Sequence, residues 1–433
     1  MKNTYILGAS LLISGTIFPL QISAQSTGSA NGEDISVRIV EYKDSTDTYI
    51  TLHENAPKIK GTPDVPRFAV HGKEGKYYMG IGANIKAVAL YDFGSPLTND
   101  NLFVTSAIPM NTPPGNGGQF RFSAQQSNIY LNVVALPGTK NQLGAYVSIN
   151  FLGSGYAPSL QLAYLKYRGF TAGYNYSLFT DASASPATID YEGPNAFSCQ
   201  IHGNIYYEHP FGTKKEWKAG IGIDMPANSF TNATHTSTVT QRVPDIPFYI
   251  QRSWADGKGW LRLSGIVRNL YYRNETAQKN VDRVGWGIKA SGMTPIAGGL
   301  TAYYQAVYGK GIASYIQDLG GTGMDLMPDP DNASRLNAVK AWGAFGALQY
   351  NFSPTVFCTA IYSHVRTYAN SYADSSVPWK TGYKYAQYVL GNIFWQVNPI
   401  VQVGLEYIYG RRVDFDRSQA HDNRLQAMLQ VSF

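Results

Sequence analysis

From Leu425 to Phe433 the chain alternates almost without a break: Leu425, Ala427, Leu429, Val431 and Phe433 are apolar, Gln426, Gln430 and Ser432 are polar, and Met428 is the one exception. A strand with one apolar and one wet face, ending on an aromatic residue, is what a closed β-barrel in a bilayer requires of its last strand. Sixteen such runs follow one another from Lys76 onward, at 76–91, 119–134, 142–152, 158–168, 169–179, 200–209, 214–224, 245–254, 259–272, 284–293, 299–311, 337–352, 355–367, 383–397, 400–412 and 422–433. Each is near the length that a tilted transmembrane strand needs. The expected fold is therefore all-β, a transmembrane antiparallel barrel of about sixteen strands.

The connections sort by length. Every second one is a tight turn rich in Gly, Pro and Asn, such as Pro137 to Asn141, Arg168-Gly169, Asp256 to Lys258, Ser353-Pro354 and Asn398-Pro399. The others are mostly long and polar, as at 92–118, 180–199, 225–244, 312–336 and 368–382. Short periplasmic turns and long extracellular loops produce this sorting, which a soluble β-sandwich or propeller has no reason to show. An even strand number places both ends of the barrel in the periplasm.

Residues 1–24 read as an export signal, with Lys2, the apolar stretch Tyr5 to Leu20 and small residues Ile22-Ser23-Ala24 before Gln25. Residues 25–75 read as a periplasmic extension, either a tether or a functional segment, in which Pro57, Pro63 and Pro66 interrupt short alternating stretches. The barrel is then 76–433. No later run of about 18 apolar residues suits a membrane helix, so strands must do the crossing. Charged residues make up 15% of the chain against about 25% in a typical soluble domain. The net charge of +6 is too mild for nucleic acid, but it matters if the cations line a pore. Cys199 and Cys358 would meet an oxidising compartment and could pair.

With the apolar side of each strand turned to lipid, the other side can be read off. In 259–272, Leu261, Leu263 and Val267 face out, which turns Arg262, Ser264 and Arg268 inward. In 400–412, Glu406 and Arg412 face in, and in 214–224, Lys218 and Asp224 do. The same logic points Arg121, Lys289, Arg366 and Arg424 to the lumen, with a bulge in the second strand near Gln125-Gln126. A midplane Arg or Lys on the lipid side would cost about 2–4 kcal/mol. The excess of inward cations favours anions in a pore; the competing reading puts some of them at the interface, bound to lipid phosphates. Loop 180–199 has the position of a constriction loop, and its acids Asp181, Asp190 and Glu192 either face the basic wall or cap turns outside.

The stretch Gly118-Gln-Phe-Arg-Phe-Ser-Ala-Gln-Gln-Ser127, with Gly173 to Asp181, Pro186 to Pro194 and Lys86 to Gly94, resembles the DcaP-type trimeric porins over residues 76–212. The resemblance implies a sixteen-stranded homotrimeric outer-membrane channel for small anions such as dicarboxylates, with Arg121 and the acids of loop 180–199 at the pore. Asn128 stands where the family tends to have a second basic residue, which implies a weaker anion preference. Residues 25–75 lack the heptads of a coiled coil, so barrel walls and loops would have to hold a trimer.

Other chemistry finds little footing. The seven histidines have no metal-site spacing, and neither a nucleophile elbow nor a phosphate-binding Gly-rich loop is present. Asp325, Asp329 and Asp331 lack the ligand series of a calcium loop. No cofactor, metal, catalytic residue or nucleic-acid partner is expected. The chain reads as a passive channel in the bacterial outer membrane, with lipid and small hydrophilic solutes as its partners; a substrate-specific uptake channel and a non-conducting structural or adhesive barrel are the alternatives.

Overall fold

The alternation of Leu425, Ala427 and Leu429 with Gln426 and Gln430 builds a final strand whose odd residues are exposed and whose even residues are buried. In the computed structural model, which describes residues 38–40, 46–57, 68–369 and 382–433, this strand closes onto the first to complete a sixteen-stranded antiparallel barrel. The expected signal at 1–24 lies outside the described residues. The strands are β1 (Tyr77–Gly94), β2 (Gly118–Ser123, continuing as Asn128–Ala135), β3 (Leu143–Asn150), β4 (Ser159–Tyr167), β5 (Phe170–Tyr176), β6 (Ile201–Phe211), β7 (Trp217–Asp224) and β8 (Ile246–Trp254). They continue as β9 (Gly259–Asn274), β10 (Lys279–Ala297), β11 (Leu300–Lys310), β12 (Lys340–Asn351), β13 (Val356–Thr367), β14 (Tyr383–Asn398), β15 (Val401–Asp414) and β16 (Gln419–Ser432).

Closure is in register: Gln430 faces Lys86 and Leu425 faces Tyr91 across β16 and β1. The second strand carries the expected irregularity. Its upper piece pairs Ser123 with Val88 and its lower piece pairs Asn128 with Asn84, so β2 has one residue more than the length of β1 it follows. That extra residue is a bulge. Exposed Leu261, Leu263, Val267, Leu405 and Tyr407 form part of the lipid-facing surface. Cys199 and Cys358 are both free thiols.

Part of the segment before the barrel lies against its inner wall. The helix α1 (Thr46–Asn55) sets Tyr49 and Leu52 beside Val134 of β2 and Ala69, while Ala56 packs with Tyr130, Tyr146 and Tyr164. Asn55 Nδ2 donates to Asn132 Oδ1 at 2.6 Å and to the Ala145 carbonyl at 3.0 Å, and Tyr164 donates its hydroxyl to the Asn55 carbonyl at 2.8 Å. Tyr130, Asn132 and Tyr164 have the inward phase of their strands. A short strand, Phe68–His71, pairs with β1 from Tyr78 to Ile81, continuing the seam beyond the end of β16.

Candidate functional site

Long loops from the extracellular end do not stay outside. Residues 177–199 are buried almost throughout, and the strand walls hold them by side-chain hydrogen bonds. Glu406 on β15 accepts the backbone N–H groups of Ile189 and Asp190, both at 2.8 Å, and is itself fixed by Asn392 at 2.9 Å and Gln426 at 2.7 Å. Ser363 accepts from the Ala196 N–H at 3.0 Å, and Gln305 donates to the Ala196 carbonyl at 2.8 Å. Met428, the exception in the last strand's alternation, is inward and packs with Ala187, Ile189, Val88 and Phe394.

The wall makes room for this packing. A Cβ on the inward Gly404 would stand 3.1 Å from Ile189, and one on Gly410 would stand 2.4 Å from the Phe103 ring, so only glycine lets these loops approach so closely. Two further loops are knitted to the first. Asp318 accepts from Thr105 at 2.7 Å, the Ser106 N–H at 2.9 Å and Tyr383 at 2.8 Å, while Asn195 donates to Thr105 at 2.8 Å. Burial raises the Asp318 carboxyl above its usual range despite these donors.

The three acids of the loop have different surroundings. Asp181 accepts from Trp260 Nε1 at 3.1 Å and Ser291 at 2.8 Å. Burial alone would raise it, but Arg262, Lys289 and these donors outweigh that and hold the carboxyl below its usual range. Asp190 accepts from the Phe103 N–H at 3.0 Å, Tyr388 at 2.9 Å and the N–H groups of Glu192 and Gly193 at 3.2 Å, yet burial still leaves it raised. Glu192 is 4% exposed and neither carboxylate oxygen has a hydrogen-bond partner among the described residues. Burial, then Asp318 and Asp190, push it well above the usual glutamate range.

Two cavities lie on either side of this loop. The outer one, about 170 Å³, is lined by Asn84, Lys86, Gln126, Thr188, Glu192 and Gln430 among others; the inner one, about 240 Å³, by Lys86, Thr188, Gln349, Gln402 and Gln430. Lys86, Thr188 and Gln430 belong to both. Lys86 Nζ donates to Gln126 Oε1 at 2.5 Å and to the Ile189 carbonyl at 2.9 Å, and it makes no ion pair among the described residues. Lys86 is missing from the cations expected at the lumen, although its inward phase on β1 is readable from its neighbours Ile85 and Ala87.

The expected pore cations fare differently from one another. Arg268 points inward but is 1% exposed, paired with Asp245 at 3.0 Å and Asp325 at 3.2 Å. Its charge is spent on the loops and lines no open water. Glu406 is likewise inward and 1% exposed, an anchor for the loop backbone. Lys289 is buried, donates to the Phe179 carbonyl and lies over that ring at 5.1 Å. Arg121 binds Asp92, Asp100 at 3.0 Å and the Leu97 carbonyl, and Arg424 binds Asp92 at 2.6 Å. Arg412 forms a fork onto Asp414 at 2.8 and 3.1 Å and donates to the Ser106 carbonyl at 2.6 Å. Arg262 keeps a mostly buried position over the Tyr249 ring at 4.0 Å, with Asp181 at 4.0 Å.

Arg366 is a correction. On β13 the buried residues are Thr359, Ile361, Ser363, Val365 and Thr367, while Tyr362 is 51% exposed, so Arg366 has the outward phase. The expectation failed because loops fill the barrel here. Ile361 and Val365 are apolar because they face packed loops, not lipid.

No curated protein sequence matches the chain. Among solved structures, the outer-membrane channel DcaP of Acinetobacter baumannii is similar at a TM-score of 0.71 and 18% identity, over 83% of this chain and 99% of that one. The anion-selective porin from Comamonas acidovorans gives 0.53 and 9%, over 82% and 100%. OmpT of Vibrio cholerae gives 0.52 and 10%, over 83% and 99%. At these identities the likeness speaks for the fold alone. The sequence profile of the porin subfamily matches residues 130–421, and with the closed barrel and its inward loop this places the chain in the porin subfamily, as an outer-membrane channel.

Proposed function

We propose that this porin is a passive diffusion channel for small hydrophilic solutes that favours small anions, dicarboxylates among them. The observation that carries the reading is Lys86: a cation on the lining of both cavities, bonded only to neutral acceptors, at the position where loop and wall share Thr188 and Gln430. A cation at a narrow point lowers the electrostatic barrier to anions and raises it for cations. Solutes pass between Thr188 of the loop and Lys86 and Gln430 of the wall, moving down their gradients. Arg262, mostly buried beside Asp181, contributes less because a carboxylate already faces it.

The channel acts as a homotrimer. Small outward residues Ala145, Ala163 and Ala172 leave an apolar groove on β2 to β5, which suits contact with another copy. The amides of Asn84, Gln126 and Asn128 in the outer cavity support a second reading, a channel with a preferred hydrogen-bonding solute. Planar-bilayer recording of the purified protein tests both. Stepwise openings in groups of three, with a reversal potential biased to the anion under a potassium chloride gradient, are expected. A tight bilayer despite correct insertion would overturn the pore, and succinate flux that saturates would favour the second reading.

A further inference from the structure

In its extracellular half the outer surface of the barrel differs in charge between β1 to β8 and β11 to β16. On β1 to β8 the outward residues of the extracellular half are Tyr91, Phe93, Val147, Ile223, Phe248 and others like them, with no Asp, Glu, Lys or Arg. On β11 to β16 the same level carries four outward cations: Lys310, Lys340, Arg366 and Arg411. The acids of those six strands are Glu406, Asp414 and Asp422, and all three have the inward phase. None of the four cations makes an ion pair among the described residues.

Register places them side by side. Lys310 faces Lys340, Trp342 faces Arg366, Arg366 faces Tyr385, and Gln387 of the same strand as Tyr385 faces Arg411. At about 4.8 Å per strand and 3.4 Å per residue, Arg366 and Arg411 are about 12 Å apart at their backbones, within joint reach of one phosphate group. Their level is that of the bilayer interface. Trp286 lies 5.8 Å from Tyr308, Trp342 stacks on His364 at 5.0 Å, and His364 stacks on Tyr385 at 5.4 Å, the kind of aromatic girdle that marks a lipid headgroup boundary. Arg366 lies over the Tyr368 ring at 5.2 Å, and its buried Nε has no hydrogen-bond partner. Guanidinium groups facing a membrane without a carboxylate need an anion from the membrane itself.

We propose that the outward face of β11 to β16 binds the phosphate of an outer-leaflet lipid, with Arg366 and Arg411 as its principal ligands and Lys310 and Lys340 extending the site. The outward face of β1 to β8 carries no charge in its extracellular half and has no such capacity there. The test is native mass spectrometry of the whole detergent-solubilised protein with phosphatidic acid, diacylglycerol or inorganic phosphate added. Phosphatidic acid is expected to stay bound where diacylglycerol does not, and inorganic phosphate to compete only at far higher concentration. The double variant R366Q/R411Q is expected to weaken phosphatidic acid binding at least ten-fold while conductance is unchanged. Equal retention of diacylglycerol and phosphatidic acid overturns the site whether or not the variant folds. So does a variant that binds phosphatidic acid like the parent, or one that loses its oligomer with no change in lipid binding, which would assign the face to a second copy.

Discussion

The inner faces of β9 with β10 and of β1 both present cations to the barrel interior, and the two hold them differently. On β9 and β10, Arg268 and Lys289 are buried beneath loops, the first between Asp245 and Asp325 and the second on the Phe179 carbonyl. On β1, Lys86 is also buried, at 9% exposed, but it bonds a side-chain amide and a loop carbonyl and lies on the lining of both cavities. Residue type and strand phase are the same in both places. The difference lies in what the extracellular loops bring down to meet them, so a tally of inward cations is not a tally of pore charge.

The comparison breaks most strongly at Arg268. Replacing it with Leu leaves Asp245 and Asp325 buried without their counter-charge, and the expected loss is about 3–5 kcal/mol, read as a lower midpoint in heat-modifiable gel migration. Ion selectivity in the molecules that still fold should stay as in the parent.

Glu192 sharpens the contrast with a smaller effect. Its carboxyl is raised in the folded state by burial, then by Asp318 and Asp190, so the folded protein holds this proton more tightly than the unfolded chain. Its contribution to stability is thus full below the ordinary glutamate value and is lost as pH rises through the raised one. Glu192→Gln should flatten that slope, widening its advantage over the parent with pH by about 1–3 kcal/mol, the size of a buried polar group left unsatisfied. Thermal melting across that pH window checks it; parallel curves for the two proteins would refute it.

The smallest effect belongs to Lys218. It pairs with Glu208 at 2.9 Å with 38% of its side chain exposed, so Lys218→Gln should cost no more than about 1 kcal/mol and leave conductance unaltered.

Much of the barrel was legible because lipid imposes a rule on every strand. The phases of Leu261 against Arg262, and of Leu405 against Glu406, follow from it, and so does the bulge after Ser123. The rule weakens where the inside is also apolar. Met428 breaks the alternation because Ile189 lies on it, and Val365 misled the phase of Arg366 because a loop covers it. Gly404 and Gly410, small residues on the inward phase, are the traces these contacts leave in the chain. The loop partners themselves, hundreds of residues away as Glu406 is from Ile189, leave no local pattern. Helix α1 inside the barrel mouth was not foreseen either, since its contacts with Asn132 and Tyr164 are of the same long-range kind.

The central claim is that the path of permeation runs past Lys86. Reversal potentials under a potassium chloride gradient, measured for the parent and for Lys86→Glu in planar bilayers, test it most directly. The expected result is an anion bias in the parent that shifts toward potassium in the variant. An unchanged reversal potential in a variant of normal conductance would contradict the account and move the selective point elsewhere in the barrel.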